Sequence, residues 1–370
     1  MHSKIFKHIK NCTFIICCIT GSLITQTTAN AAESNKKVTW QLAQTWGDEH
    51  LLGYPTTRLS ELVNALSGGS FKIELVNKKT HGNTRGVFDF VKEGKYQMGH
   101  SASNFWAKKD PDTVFFSAVP FGMVTPELYS WFYEGGGLEL MNKVYSKHGL
   151  MSFPGGNSGH QMIGWFNKEI RSLEDLKGLK MRLPGLAGEV MKGVGVNIIN
   201  PPVSKLKEAL QSGELEAVEF VGPAIDLNLG LADVAKFYYV GWHSPSSEMQ
   251  FIVNPTAFEK LSNKNKEILK QSMRLAAYDA FTKIVNENGI KMQELLTQYP
   301  HIVLRSFPSD VMRALAKQTN ISIDKLIEKS DDKLTQEIVS SMREHRKRAR
   351  VWTRFSDQAY LNNVGAIIQD

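Results

Sequence analysis

Strand, helix and strand follow one another between Val38 and Val76, and this succession constrains the fold class more than any other feature of the chain. Val38 to Gln44 alternates apolar and polar side chains, the period of a half-buried strand. Gly53 to Leu66 sets Leu59, Leu62, Val63 and Leu66 on one helical face, and Gly68-Gly69 stops it. Phe71 to Val76 returns to strand character. So short a β–α–β unit predicts an α/β fold with parallel pairing and helical crossovers. The chain has 370 residues, too many for one ordinary core, so length alone predicts two domains.

One α-to-β turn occurs in each half. Residues 90–101, with Gly94 at the helix end, align with residues 209–220, with Gly213 in the same place. Glycine is favoured there because it accepts the left-handed conformation. Ligands of open α/β sheets bind beyond the carboxyl ends of strands. His100 to Asn104 and Glu219 to Gly222 are therefore expected to line one cleft between the domains. Strands are predicted at Gln161–Phe166, Lys180–Leu183, Phe237–Trp242 and Ile302–Phe307. Ser172–Gly178 reads as a short capped helix and Ala187–Val194 as a helix closed by Gly195. Phe258 to Leu296 keeps a 3.6-residue period long enough to brace two domains, and Ser309 to Tyr360 is almost wholly helical in pattern.

The N-terminus reads as an export signal. Lys4, Lys7 and Lys10 precede about 12 mostly apolar residues, Thr13 to Ile24, and Ala29-Asn30-Ala31 supplies a small-x-small cleavage pattern. The apolar run falls short of the ~20 residues of a comfortable membrane span. Bulky Phe14-Ile15-Ile16 before Cys17 speaks against a lipidated cysteine. Cleavage is expected near Ala31, and it changes the chemistry. Cys12, Cys17 and Cys18 all leave, so cysteine nucleophiles, zinc–thiolate sites and iron–sulfur clusters are excluded from the expected mature chain. Three lysines and no acid leave too, which lowers the net charge from +7 to +4.

Catalytic motifs give little. There is no H-E-x-x-H, G-x-S-x-G or P-loop, and Gly193-Val-Gly195 ends a helix where a dinucleotide fingerprint would start one. Triads are not readable from sequence, so a hydrolase stays open. The basic run Arg343 to Arg350 reads as a solvated helix face; a nucleic-acid arm would conflict with export. Arg182 stands in a strand between Met181 and Leu183 and needs a partner. An internal acid is one option and a ligand carboxylate, gripped by two parallel hydrogen bonds, is the other. Glu219 stands at a strand end, where a carboxylate is more often a cap or an ion pair than a ligand group, and Gln161 is as ambiguous.

Taken together, four blocks carry a resemblance: residues 153–166 around Gln161; Glu174-Asp-Leu-Lys-Gly-Leu-Lys-Met-Arg182-Leu-Pro-Gly; Ala217-Val-Glu219-Phe-Val-Gly-Pro223; and residues 228–239. The chain resembles the solute-binding proteins of tripartite ATP-independent periplasmic (TRAP) transporters, nearest to the branch that binds 2-oxo acids and other monocarboxylates. The segment Trp131 to Leu140 with Gly135-Gly-Gly137 resembles that branch as well. The resemblance implies a periplasmic binding protein-like α/β fold of two α/β domains with a ligand cleft between them, a long bracing helix and extra C-terminal helices. The expected division is a signal peptide to residue 31, domain I from 32–154 plus about 244–285, domain II from 155–243 plus about 286–308, and a helical extension from 309.

The resemblance further implies that Arg182 takes the substrate carboxylate, and that Gln161, Glu219 and the Phe220 carbonyl hold a Na+ or Ca2+ ion bridging protein and ligand. Where the branch often has a further acid after Gly241-Trp-His243, this chain has Ser244-Pro-Ser-Ser-Glu248, so Glu248 is the candidate substitute. Gln161, Asn104, Trp46, Phe220 and Trp242 are candidate ligand contacts. No organic cofactor, no catalysis and no nucleic acid are expected. The implied partners are a small organic acid, the small and large TRAP membrane subunits and a second copy of the chain. A secreted enzyme or a sensory binding protein acting on a small carboxylate is the alternative.

Overall fold

The computed structural model describes residues 37–330 and 332–364; the expected export segment lies outside them. Eleven strands form two sheets among the described residues. The first contains β1 (Val38–Gln44), β2 (Phe71–Val76), β3 (Met98–Ala102), β4 (Met151–Asn157) and β10 (Glu248–Val253), ordered β2-β1-β3-β10-β4. The second contains β5 (Gly164–Phe166), β6 (Lys180–Arg182), β7 (Asn197–Ile198), β8 (Ala217–Val218), β9 (Phe237–Tyr239) and β11 (Val303–Arg305), ordered β11-β9-β5-β8-β6-β7. β1 pairs in parallel with β2 and β3, and the helix Tyr54–Leu66 connects β1 to β2, as the opening β–α–β pattern predicts.

β10 runs antiparallel between β3 and β4. Neither β4 nor β10 is expected from the sequence. All six residues of β10 are buried, so it lacks the period-two alternation that marks a half-exposed strand. The expected strand at Gln161–Phe166 is correct only for its second half. The Gln161 and Met162 N–H groups donate instead to the Ser244 and Val221 carbonyls, which splays this backbone between two loops.

The long helix is two. Ser262 accepts from Asn265 N–H at 3.2 Å and starts a new helix, separating Pro255–Glu259 from Asn263–Gln298. The second piece has 36 residues and is about 54 Å long at 1.5 Å per residue. Leu269, Met273 and Ala276 pack in the core beside the first sheet, whereas Leu295 packs with Trp165 and Tyr238 of the second. Gly289 lies between these anchorages, and a side chain there would meet open space. The helix Ser309–Lys329 also spans both cores, with Val311 and Leu315 in one and Ile323 in the other. The basic helix Lys333–Phe355 buries Ile338, Val339 and Met342 against the first sheet's core.

Candidate ligand and cation site

β6 and β8 are parallel neighbours, with Met181 opposite Ala217 and Arg182 opposite Val218. Their carboxyl ends therefore deliver Arg182 and Glu219 to one place, where the Glu219 N–H donates to the Arg182 carbonyl at 3.0 Å. Arg182 Nη1 donates to Glu219 Oε2 at 2.7 Å and also to the Glu219 carbonyl. The two side chains are 14% and 5% exposed. Of the two partners left open by the sequence, the structure thus supplies the internal acid. It does so with one nitrogen only: Arg182 Nε and Nη2 donate to nothing among the described residues, which leaves a fork able to grip a planar carboxylate. The Phe220 ring lies 5.2 Å from the guanidinium carbon.

Two glycines allow the approach of the next segments. A Cβ on Gly164, whose φ is +111°, would stand 2.1 Å from the Val218 carbonyl oxygen and 2.7 Å from Glu219 Cα. A Cβ on Gly241 would stand 1.9 Å from the Gln161 carbonyl oxygen. Any side chain at either position would push Gln161 and the 242–244 segment away from Glu219. His243 Nε2 lies 3.3 Å from Glu219 Oε1, and because a carboxylate only accepts, Nε2 carries the hydrogen. His243 Nδ1, Trp242 Nε1, Ser244 Oγ and Asn104 Oδ1 are buried without a hydrogen-bond partner. Buried polar atoms are normally satisfied, so His243 Nδ1 and Ser244 Oγ after β9 and Asn104 Oδ1 after β3 are groups open to a polar ligand.

The oxygen set also fits a hard cation. Gln161 Nε2 donates to Ser158 Oγ at 2.8 Å, which leaves its Oε1 without a donor. The Phe220 carbonyl accepts no hydrogen bond among the described residues. Amide, carbonyl and carboxylate oxygens suit Na+ or Ca2+. No three His, Cys, Asp or Glu side chains converge among the described residues, so a cation here relies on neutral oxygens beside Glu219.

Glu248 does not join this group. Its carboxylate accepts from the Gly155 and Gly156 N–H groups at 3.0 and 3.1 Å and from Asn157 Nδ2 at 2.7 Å, so both oxygens are committed to the first sheet's strand β4. Burial pushes its pKa up to about 8 against those donors. His100, expected at the cleft, is likewise a core residue. Its Nε2 donates to the Gly155 carbonyl at 2.8 Å, and burial lowers its pKa to about 4, so the ring is neutral.

The aromatic candidates divide. Trp46 and Phe220 both pack on the cluster of Leu52, Val221, Ile225, Met249 and Ile284. Trp242 is buried on another side, stacked on Phe121 at 5.3 Å between ring centroids. Asn104, which follows β3, has its Nδ2 3.8 Å from where a Gly185 Cβ would stand, so it reaches the turn after Arg182. A cavity of about 840 Å³ lies elsewhere, between Val119–Phe121 and the two C-terminal helices, and contains none of these residues.

Residues 42–330 match the family described as bacterial extracellular solute-binding protein, family 7. The chain belongs to this family. A monocarboxylate 2-oxoacid-binding periplasmic protein of Nostoc is 33% identical over 341 residues, 91% of this chain and 92% of that protein. A TRAP periplasmic solute-binding protein from Colwellia psychrerythraea, solved with bound calcium and pyruvate, is 45% identical with a TM-score of 0.85, covering 89% of this chain and all of that one. One from Pseudoalteromonas atlantica, solved with sodium and pyruvate, is 44% identical with a TM-score of 0.83, covering 89% and 99%.

One residue of this family 7 protein that organises the site escaped the sequence reading. Asp226 accepts from the Val221 and Gly222 N–H groups at 2.9 and 3.0 Å, from Trp165 Nε1 at 3.1 Å and from Tyr238 hydroxyl at 3.1 Å. It thereby pins the backbone that follows Glu219 and Phe220. Burial raises its pKa to about 7 despite four donors. The readable signal is an acid set in the apolar run Pro223-Ala-Ile-Asp226-Leu.

Proposed function

We propose that this chain is a periplasmic, non-catalytic carrier that captures a small 2-oxo acid or similar monocarboxylate together with Na+ or Ca2+ and delivers it to the membrane subunits of a TRAP transporter. The observation that carries the reading is the half-committed Arg182: a nearly enclosed guanidinium, neutralised by Glu219 through one nitrogen and offering its remaining fork at the carboxyl edge of the second sheet. The relatives solved with pyruvate and a cation support that ligand class.

In this reading Arg182 binds the carboxylate. Gln161 Oε1, Glu219 and the Phe220 carbonyl hold the cation, which supplies a positive charge for the carboxylate and keto oxygens. Asn104 reaches from the other half, and Trp46 and Phe220 cover the carbon skeleton, while Trp242, stacked on Phe121, backs the His243 segment instead of the ligand. Closure of the two halves around the ligand expels water and strengthens each charged contact. The halves are residues 32–154 with about 244–285, and 155–243 with about 286–308, a division supported by the strands each sheet uses. Cleavage near Ala31 releases the chain into the periplasm; among the described residues no helix is long and apolar enough to cross a membrane.

Trp352 and Phe355 on the last long helix are 73% and 80% exposed, and Tyr360 and Leu361 follow them, an apolar face suited to a second copy. A single-chain mass by light scattering would remove the dimer from the reading. The reading as a whole is tested by calorimetry with pyruvate in the presence of Na+ or Ca2+. Binding without turnover supports it; consumption of pyruvate, or no heat with any small monocarboxylate, overturns it.

A further inference from the structure

Phe121 has φ +54°, the one positive φ on a non-glycine residue among the described residues. Such a conformation strains a bulky residue and persists only where its surroundings over-determine it. Those surroundings come from two directions. Its N–H donates to the Trp242 carbonyl at 3.0 Å, and its ring stacks on the Trp242 indole with 30° between planes. Its own carbonyl accepts from Arg346 Nη1 at 2.8 Å, and the Gly122 carbonyl accepts from Arg350 Nη2 at 2.8 Å. Arg350 is itself fixed by both oxygens of Glu127, each at 2.8 Å. Val119 and Met123 belong to the first sheet's core, whereas Phe121 packs against the second's. A turn of one half thus inserts a single ring into the other.

Arg346 is the unusual member. It forms no ion pair among the described residues, and burial together with Arg350 and Arg343 depresses its pKa. A guanidinium held among like charges for the sake of one carbonyl points to that carbonyl's position as what matters. Trp242 leads directly into His243, which touches Glu219.

We propose that Arg346 and Phe121 are positioning residues of the ligand site: the basic C-terminal helix holds Phe121 in its strained conformation, and Phe121 holds the Trp242–His243 segment against Glu219. The proposal rests on the ligand-binding reading above for its affinity readout, and has a second readout independent of it. Arg346→Ala is expected to weaken pyruvate binding by about tenfold, the low end of the cost of losing a residue that orients a ligating group, because it acts through Phe121 and Trp242. Arg346→Lys, which can still donate to the carbonyl, recovers part of it. Arg343→Ala, which removes the same charge from a residue paired with Asp324, leaves affinity within about twofold, as expected of a surface pair. Hydrogen exchange of ligand-free protein supplies the second readout. Arg346→Ala should speed exchange of the backbone at residues 240–246 without changing the helix Asn263–Gln298. Unchanged exchange at 240–246 overturns the proposal whatever the ligand proves to be. If pyruvate binds the wild type, equal affinity in Arg346→Ala, or equal losses in Arg346→Ala and Arg343→Ala, overturns it too. If the wild type does not bind, the ligand reading falls and exchange alone decides the positioning.

Discussion

Arg182 and Glu219 meet at 2.7 Å on neighbouring strand ends, with one guanidinium nitrogen engaged and the other two without an acceptor among the described residues. The acid does not compete with an incoming carboxylate for the arginine. It offsets the charge from one side while the fork faces the other. In the proposed site an anion and a cation would then share the same few ångströms, each offset by the opposite member of the pair.

Arg182→Ala should remove measurable binding of pyruvate. Deleting one partner of a buried pair costs about 3–5 kcal/mol, or a hundred- to several-thousand-fold in affinity. Arg182→Lys should fall between, since an ammonium cannot satisfy Glu219 and grip a carboxylate with two parallel bonds. Calorimetry decides it; near-normal affinity in the alanine variant removes Arg182 from the site.

Cation dependence should follow Glu219. In wild-type protein, chelator treatment in Na+-free buffer should weaken pyruvate binding by about tenfold or more, and Na+ or Ca2+ should restore it. Glu219→Gln should lose that restoration. A variant that still responds fully to the added cation would place the ion elsewhere.

Glu248 and Asp226 should leave a mark on stability as pH changes. Their folded pKa values, about 8 and about 7, lie above the ordinary 4.5 and 3.8. The folded protein therefore holds protons that the unfolded chain releases, and each group lowers stability as pH rises across its window. His100, held at about 4 against 6.5, works in the opposite sense between those values. Relative to wild type, Glu248→Gln should gain stability steadily from pH 4.5 to 8 and Asp226→Asn from pH 3.8 to 7. The slope is about 1.4 kcal/mol per pH unit for one proton. Thermal melts that stay parallel to wild type across pH would contradict these shifts.

Much of the site was readable in residue order because its parts sit at strand ends. Arg182 and Glu219 each close a short strand before a Pro- or Gly-containing turn, and parallel pairing of those strands brings them together. Glu248 was misplaced for a related reason. Its strand β10 is buried on both faces and shows no alternation, so its place inside the first sheet, three residues bonded to its carboxylate, was invisible. Asp226, His243 and Phe121 act through contacts that depend on tertiary approach, above all the passage of backbone past Gly164 and Gly241. No local period encodes such approaches. The break at Ser262 was legible in principle, since a serine three residues before Asn265 is a helix start; the apolar period running through it masked the signal.

The helix Asn263–Gln298 gives the molecule a spine fastened at both ends. This rod is tied to the second sheet's side well before its end, since Ile284 packs with Val221 and Ile225 and Asn288 Oδ1 accepts from the Ala224 N–H at 3.0 Å. The helix Ser309–Lys329 joins cores beside the same two sheets, so the sheets are held by two rods. Any change in the angle between the two sheets must then bend both rods together.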